Sequence, residues 1–184
     1  MARRIPWKAI AIGGAVAGGV SAIVLASRKK LPSSLPARRV ALIGDSYAVG
    51  LGPELQKLLP DFKYEGHVGN TTAAWAAHSA SCGTCGDWLT TFKPDVVLVS
   101  LGVNDGVSPN RKNYNDIVSA LHGIGARVVW IEPPAGVIIP AIRAAITSLG
   151  VTTVPPTQTP LAGDGLHPQS YGPWAQEVFQ AVRQ

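Results

Sequence analysis

The sequence predicts an α/β protein, a parallel sheet covered by helices on both faces. Three observations carry this. Short apolar runs alternate with segments of helical spacing through residues 38–184. Two of these runs, Val96-Val97-Leu98-Val99 and Val128-Val129-Trp130-Ile131, are continuously apolar, as strands buried on both faces require. Glycine and polar residues gather just after the runs, where the loops of an open parallel sheet form its crevice.

At 184 residues the chain is long enough for one domain with a sizeable core and short for two. Its basicity is local. Residues 1–39 hold Arg3, Arg4, Lys8, Arg28, Lys29, Lys30, Arg38 and Arg39 with no acid, whereas residues 40–184 hold 8 basic and 11 acidic side chains, a net of −3. Nucleic-acid binding asks for a basic stripe on a folded surface, so no nucleic-acid partner is expected.

Between Lys8 and Arg28 lie 19 uncharged residues, Ala9 to Ser27, nearly all Ala, Gly, Ile and Val. At ~1.5 Å rise per residue they make a helix of roughly 28 Å, close to the thickness of a bilayer core. Residues 1–30 are therefore expected to be a membrane-spanning helix with basic flanks, giving a single-pass N-terminal anchor. Gly14 and Gly18, four apart, offer a face that another helix can approach closely. A cleaved signal peptide is the rival, with Val24-Leu25-Ala26 as cleavage site. The length of the apolar segment and the Arg28-Lys29-Lys30 cluster beyond it count against that rival. Three basic residues before the segment and five after it tilt the domain toward the cytoplasm by a small margin, which leaves the side of the membrane open.

Leu31 to Ala37 is a Pro/Ser tether without periodicity, and the domain is expected to run from 38 to 184. Strands are predicted at 39–43, 62–68, 95–101, 126–131 and 151–154. The spacing of Ile117, Leu121 and Ile124 predicts a helix over 113–124, and that of Trp174, Val178 and Val182 one over 171–182. Gly125 and Gly150 stand where helices should stop.

Ser46 follows the first strand, Gly69 the second and Asn104 the third. Asp164 and His167 fall between the fifth strand and the last helix. All five reach the ligand-binding edge of such a sheet. A serine hydroxyl is a poor nucleophile until a base takes its proton, and of the four histidines only His167 has a carboxylate spaced to orient it. Asp164 can accept the Nδ1 proton and leave Nε2 facing Ser46. Asp45 and Asp105 are the rival acids and read as structural hydrogen-bond partners.

Gly44-Asp45-Ser46 with Gly50, Gly69-Asn70-Thr71-Thr72, Gly102-Val103-Asn104-Asp105 and Asp164-Gly165-Leu166-His167-Pro168 resemble, in order, the four blocks of the SGNH hydrolases, or GDSL-type esterases. The resemblance covers most of residues 38–184. It implies a three-layer α/β/α sandwich with a five-stranded parallel sheet, the flavodoxin-like arrangement, in agreement with the strand count above. It also implies an oxyanion hole built from the backbone N–H groups of Ser46 and Gly69 and the side-chain amide of Asn104. Tyr47 stands where the eponymous motif has leucine, a position that packs or lines rather than reacts.

No metal or organic cofactor is expected. Cys82 and Cys85, with His78, give too few ligands for a structural zinc, and a local disulfide or two free thiols remain open. His67 could touch substrate, Trp75 reads as buried packing or a pocket wall, and the Pro133–Ile138 segment as an apolar wall. The expected function is that of a membrane-tethered serine esterase acting through an acyl-enzyme. With no long insertion to form a lid, the site should be shallow and suit a short acyl group, such as O-acetyl, on a polysaccharide or cell-wall glycan. A lipid ester is the alternative substrate, and a non-catalytic module of a membrane complex the alternative class.

Overall fold

The computed structural model of the chain describes residues 38–81 and 87–183. The expected membrane span with Gly14 and Gly18, the tether and the Cys82–Cys85 loop all lie outside the described residues. Among the described residues no helix is long and apolar enough to cross a membrane.

Five strands are described: β1 (Val40–Gly44), β2 (Phe62–Gly66), β3 (Val96–Ser100), β4 (Arg127–Ile131) and β5 (Thr152–Val154). They form one sheet in the order β2-β1-β3-β4-β5, and every neighbouring pair is parallel. This is the flavodoxin-like order, with β1 at the point where the chain reverses its direction of travel across the sheet. The α-helices α1 (Ser46–Gln56), α2 (Thr72–Ser81), α3 (Asp87–Phe92), α4 (Arg111–Gly123), α5 (Pro140–Thr147) and α6 (Gly172–Val182) fill the connections.

The period-2 alternation of strand side chains sorts the interior into two cores. Val40, Leu42, Leu98, Val129 and Ile131 point toward α1 and α6, where Tyr47, Leu51, Leu55, Trp174 and Val178 meet them. Ala41, Ile43, Val97, Val99, Val128 and Trp130 point the other way, toward Trp75, Leu89, Tyr114, Ile117, Leu121, Ile142 and Ile146 of α2 to α5. β1 and β3 are buried at every position, which is why their sequences are unbroken apolar runs, whereas Lys63 and Tyr64 of β2 and Thr152 of β5 are exposed at the edges.

The expected elements fall where the sequence puts them, with short differences at the ends. β2 stops at Gly66; the His67 N–H makes a last bond to the Gly44 carbonyl and the chain then turns, Asn70 N–H closing on the His67 carbonyl. β5 has only three residues because Pro155 and Pro156 follow and carry no N–H for the ladder. α4 begins at Arg111 because the Asn110 side chain accepts from the Lys112 N–H at 3.1 Å. Gly125 and Gly150 have φ of 83° and 66°, the left-handed values that end the helices before them.

Candidate active site

The site begins at the exit of β1. Asp45 N–H donates to the Ser100 carbonyl at 3.0 Å, which draws β1 against β3 so tightly that a Cβ on Gly44 would stand 2.2 Å from that oxygen. Asp45 is fully buried and caps α1, accepting from Tyr47 N–H at 2.9 Å through Oδ1. Its Oδ2 has no hydrogen-bond partner, and burial, the largest cause, pushes the carboxyl up to about 7. The cap places Ser46 as the first residue of α1, partly exposed at the sheet edge.

Residues 161–168 form a small closed loop. Leu161 bridges Pro168, Ala162 N–H donates to the His167 carbonyl at 2.7 Å, and Gly165 N–H to the Ala162 carbonyl at 2.9 Å. Within it Asp164 Oδ1 accepts from the N–H groups of Leu166 at 2.9 Å and His167 at 3.0 Å. Its Oδ2 lies 2.7 Å from His167 Nδ1, and His167 Nε2 lies 3.0 Å from Ser46 Oγ. The imidazole, chiefly, and the two backbone donors hold the Asp164 carboxyl down at about 2. Its ionised form thus persists below the ordinary carboxylate range and is lost only as pH falls through about 2. An ionised Asp164 takes the Nδ1–H and leaves the Nε2 lone pair for the serine proton.

Tyr47 ties this loop to α1. Its ring packs edge-on to His167, with centroids 5.6 Å apart, and to Trp174 at 5.4 Å, while its hydroxyl donates to the Leu166 carbonyl at 3.0 Å. Burial, above all, pushes the phenol above its ordinary range, so it remains a donor. The substituted position of the first block therefore packs, as expected, and also holds the histidine loop by a hydrogen bond that leucine could not make.

The loops after β2 and β3 flank Ser46, because β2 and β3 are the two neighbours of β1. Asn70 N–H donates to the His67 carbonyl at 3.1 Å, closing a tight turn around Gly69, whose φ of +78° is left-handed. Asn104, in a 3₁₀ turn at Val103–Asp105, donates one side-chain N–H to the Asn70 carbonyl at 2.9 Å. An amide carries two N–H groups, so one is left for a ligand. Asp105 accepts from the Thr72 N–H at 2.9 Å and hydroxyl at 2.6 Å, locking the same two loops together. Both rival acids, Asp45 and Asp105, therefore hold backbone rather than the imidazole.

Trp75 is buried and donates through Nε1 to the Gly44 carbonyl at 3.3 Å, so it packs. His67 is half-exposed, and its Nε2 lies 2.8 Å from Glu65. Pro133 and Pro134 are buried, Ile138 packs on the core beneath α5, and a Cβ on Gly136 would stand 3.0 Å from Leu161, so this segment backs the 161–168 loop. Among the described residues no group of three or more His, Cys, Asp or Glu could hold a metal ion. The Tyr47–Leu166 and Asn70–Asn104 bonds escape sequence reasoning, since neither a buried phenol nor a backbone carbonyl announces its partner.

Two outcomes follow from these contacts. From an unfolded value near 4 up to about 7 the folded chain keeps the Asp45 proton that the unfolded chain has lost, so stability falls as pH rises through that window. Asp45→Asn, which keeps the Oδ1 acceptor for Tyr47, is expected to flatten this slope in urea titrations repeated across the window; an unchanged slope would refute the assignment. Tyr47→Phe keeps the ring and frees the Leu166 carbonyl. It should lower the stability read in urea titrations by about 1 kcal/mol, the typical net worth of one hydrogen bond.

No family model matches the sequence, and no curated protein matches it. Solved structures do. A GDSL-like lipase from Bacteroides uniformis superposes with a TM-score of 0.57 at 14% identity, covering 79% of this chain and 93% of that one. The C-terminal catalytic domain of peptidoglycan O-acetyltransferase A from Streptococcus pneumoniae, carrying a methylsulfonyl adduct, gives 0.55 at 20% identity, covering 80% and 91%. A two-domain esterase active on acetylated mannans, co-crystallised with mannopentaose, gives 0.55 at 16% identity; 78% of this chain spans 48% of that one. Taken with the sheet order and the four sequence blocks along one edge, these likenesses establish that the chain has the fold of the SGNH, or GDSL-type, hydrolases.

Proposed function

We propose that the protein is a serine esterase that removes short acyl groups, O-acetyl above all, from a carbohydrate or cell-wall glycan. The observation that carries the reading is the relay from Ser46 Oγ to His167 Nε2 at 3.0 Å and from His167 Nδ1 to Asp164 Oδ2 at 2.7 Å. In this mechanism Ser46 Oγ attacks the ester carbonyl while His167 Nε2 takes its proton, and Asp164 stabilises the imidazolium. The oxyanion is received by the N–H groups of Ser46 and Gly69 and the uncommitted N–H of Asn104; one such donor is typically worth ~10²-fold or more in rate. Collapse expels the alcohol, which takes the proton from His167 and leaves an acyl group on Ser46. Water, deprotonated by the same nitrogen, then releases the acid and regenerates the serine.

The esterase active on acetylated mannans and the peptidoglycan O-acetyltransferase domain share the fold and support the substrate class. Partial exposure of Ser46, with side-chain exposures of 31% for His167 and 50% for Asp164, suits a small acyl group on a bulky carrier. Residues 9–27 serve in this reading as a single-pass anchor, and Gly14 and Gly18 as a helix-contact face. That anchor favours a lipid ester as the second reading, because it would hold the site beside a bilayer.

The full-length chain in detergent should react with a fluorophosphonate probe at Ser46, and Ser46→Ala should abolish both labelling and ester cleavage. Unlabelled Ser46 would sink the enzyme reading, and a preference for long acyl chains would replace the glycan by a lipid. Because Asp164 stays ionised down to about pH 2, no limb from this carboxylate should appear in kcat/KM above that pH, and one that did would refute its place in the relay. Alkaline-carbonate extraction should leave the protein in the membrane fraction; release into the soluble fraction would refute the anchor.

A further inference from the structure

A groove of about 530 Å³ runs along the free edge of the sheet, lined by Gln56, Phe62, Lys63, Tyr64, Glu65 and Trp88. The edge strand β2 sets its chemistry. Successive side chains of a strand alternate between faces, so Lys63, Glu65 and the following His67 stand in a row, and Phe62 and Tyr64 line the opposite face. Lys63 Nζ lies 5.0 Å from the centre of the Phe92 ring. Glu65 is held at both oxygens, by Trp88 Nε1 on one and His67 Nε2 on the other, so the tryptophan ring, the carboxylate and the imidazole form one braced unit. Tyr64, stacked on Phe62, keeps 39% of its surface exposed.

The row leads to the serine. Glu65 stands opposite Ile43 of β1, and His67 N–H donates to the Gly44 carbonyl just before Asp45 and Ser46. At ~3.3 Å per strand residue, the three residues from Ile43 to Ser46 put the head of the groove roughly 10 Å from the nucleophile. The turn that carries Gly69 begins at His67, so the row ends at the flank of the site.

A pyranose ring has a C–H face that is apolar and a rim of hydroxyls that both donate and accept. Across the exposed edge of β2 the groove supplies aromatic surface in Trp88 on the Glu65 face, with Tyr64 on the other face, donors in Lys63 and Gln56, and acceptors in Glu65 and Gln56. Lys63 and Glu65 balance in charge, which favours a neutral ligand over an anionic one. We propose that the β2-edge groove is a subsite for a neutral polysaccharide chain, with Trp88 as its stacking platform, and that it presents an acylated sugar to Ser46. This inference rests on the reading of the protein as a glycan acyl esterase.

The test compares two substrates on the full-length chain in detergent: an aryl acetate, which reports the reacting centre alone, and acetylated mannan. Trp88→Ala should lower kcat/KM for the mannan about tenfold relative to the aryl acetate, through KM, as expected for loss of one stacking anchor. Trp88→Phe, which keeps an aromatic face, should recover most of that ratio, and Gln56→Ala should lower it less. The aryl acetate rate guards against misfolding, since a collapsed variant loses both activities together. A wild-type protein that cleaves the mannan with no change of the ratio in Trp88→Ala overturns the subsite and leaves the esterase reading intact. A wild-type protein that cleaves the aryl acetate but not the mannan, and whose Ser46→Ala variant is retarded by neither mannan nor peptidoglycan in affinity gels, overturns the glycan reading and the subsite together.

Discussion

The carbonyl and amide at the end of β1 are the fastening on which the rest of the site depends. The Gly44 carbonyl receives the His67 N–H and the Trp75 indole N–H, while the next amide, of Asp45, goes to the Ser100 carbonyl. One peptide unit therefore anchors the exits of β2 and β3 and the flank of α2. Buried backbone groups must find partners, and here the residue after β2, the indole of α2 and the last residue of β3 satisfy that demand on the same two residues. The absence of a side chain at Gly44 is a condition of this convergence, since β1 and β3 could not otherwise approach.

Around this fastening the loops interlock in pairs. Tyr47 holds the 161–168 loop at Leu166, Asn104 holds the Gly69 turn at Asn70, and Asp105 holds the start of α2 at Thr72. Each contact joins a loop to its neighbour across the edge. Contacts of this kind fix the mutual positions of Ser46, Asn104 and His167 before any ligand arrives. The buried Asp45 is the energetic cost of the arrangement, a carboxyl whose second oxygen has no partner and which keeps its proton to about 7.

Much of this was legible in the sequence. The unbroken apolar runs at 96–99 and 128–131 mark strands covered on both faces, and the spacing of Ile117, Leu121, Trp174 and Val178 marks the helices that cover them. Ser46, Asp164 and His167 could be picked out by residue type and by place along the sheet edge, and the structure brings each within hydrogen-bond distance of the next. What was not legible depends on partners far apart in the chain. Tyr47 reads as a packing residue until its hydroxyl meets a carbonyl 119 positions away. The row Lys63, Glu65, His67 reads as an ordinary polar edge strand until Trp88, from another element, closes on Glu65. Local pattern sets faces and periods; the pairing of one loop with another is decided only by the folded sheet.

The self-closed 161–168 loop makes the site tolerant of change around it. Its bridge at Leu161 and Pro168 and its internal bonds fix Asp164 against His167 without help from the sheet. Asp164 and His167 are thus held as one cartridge, so a substitution elsewhere along the edge that displaces the loop leaves the contact between the two intact.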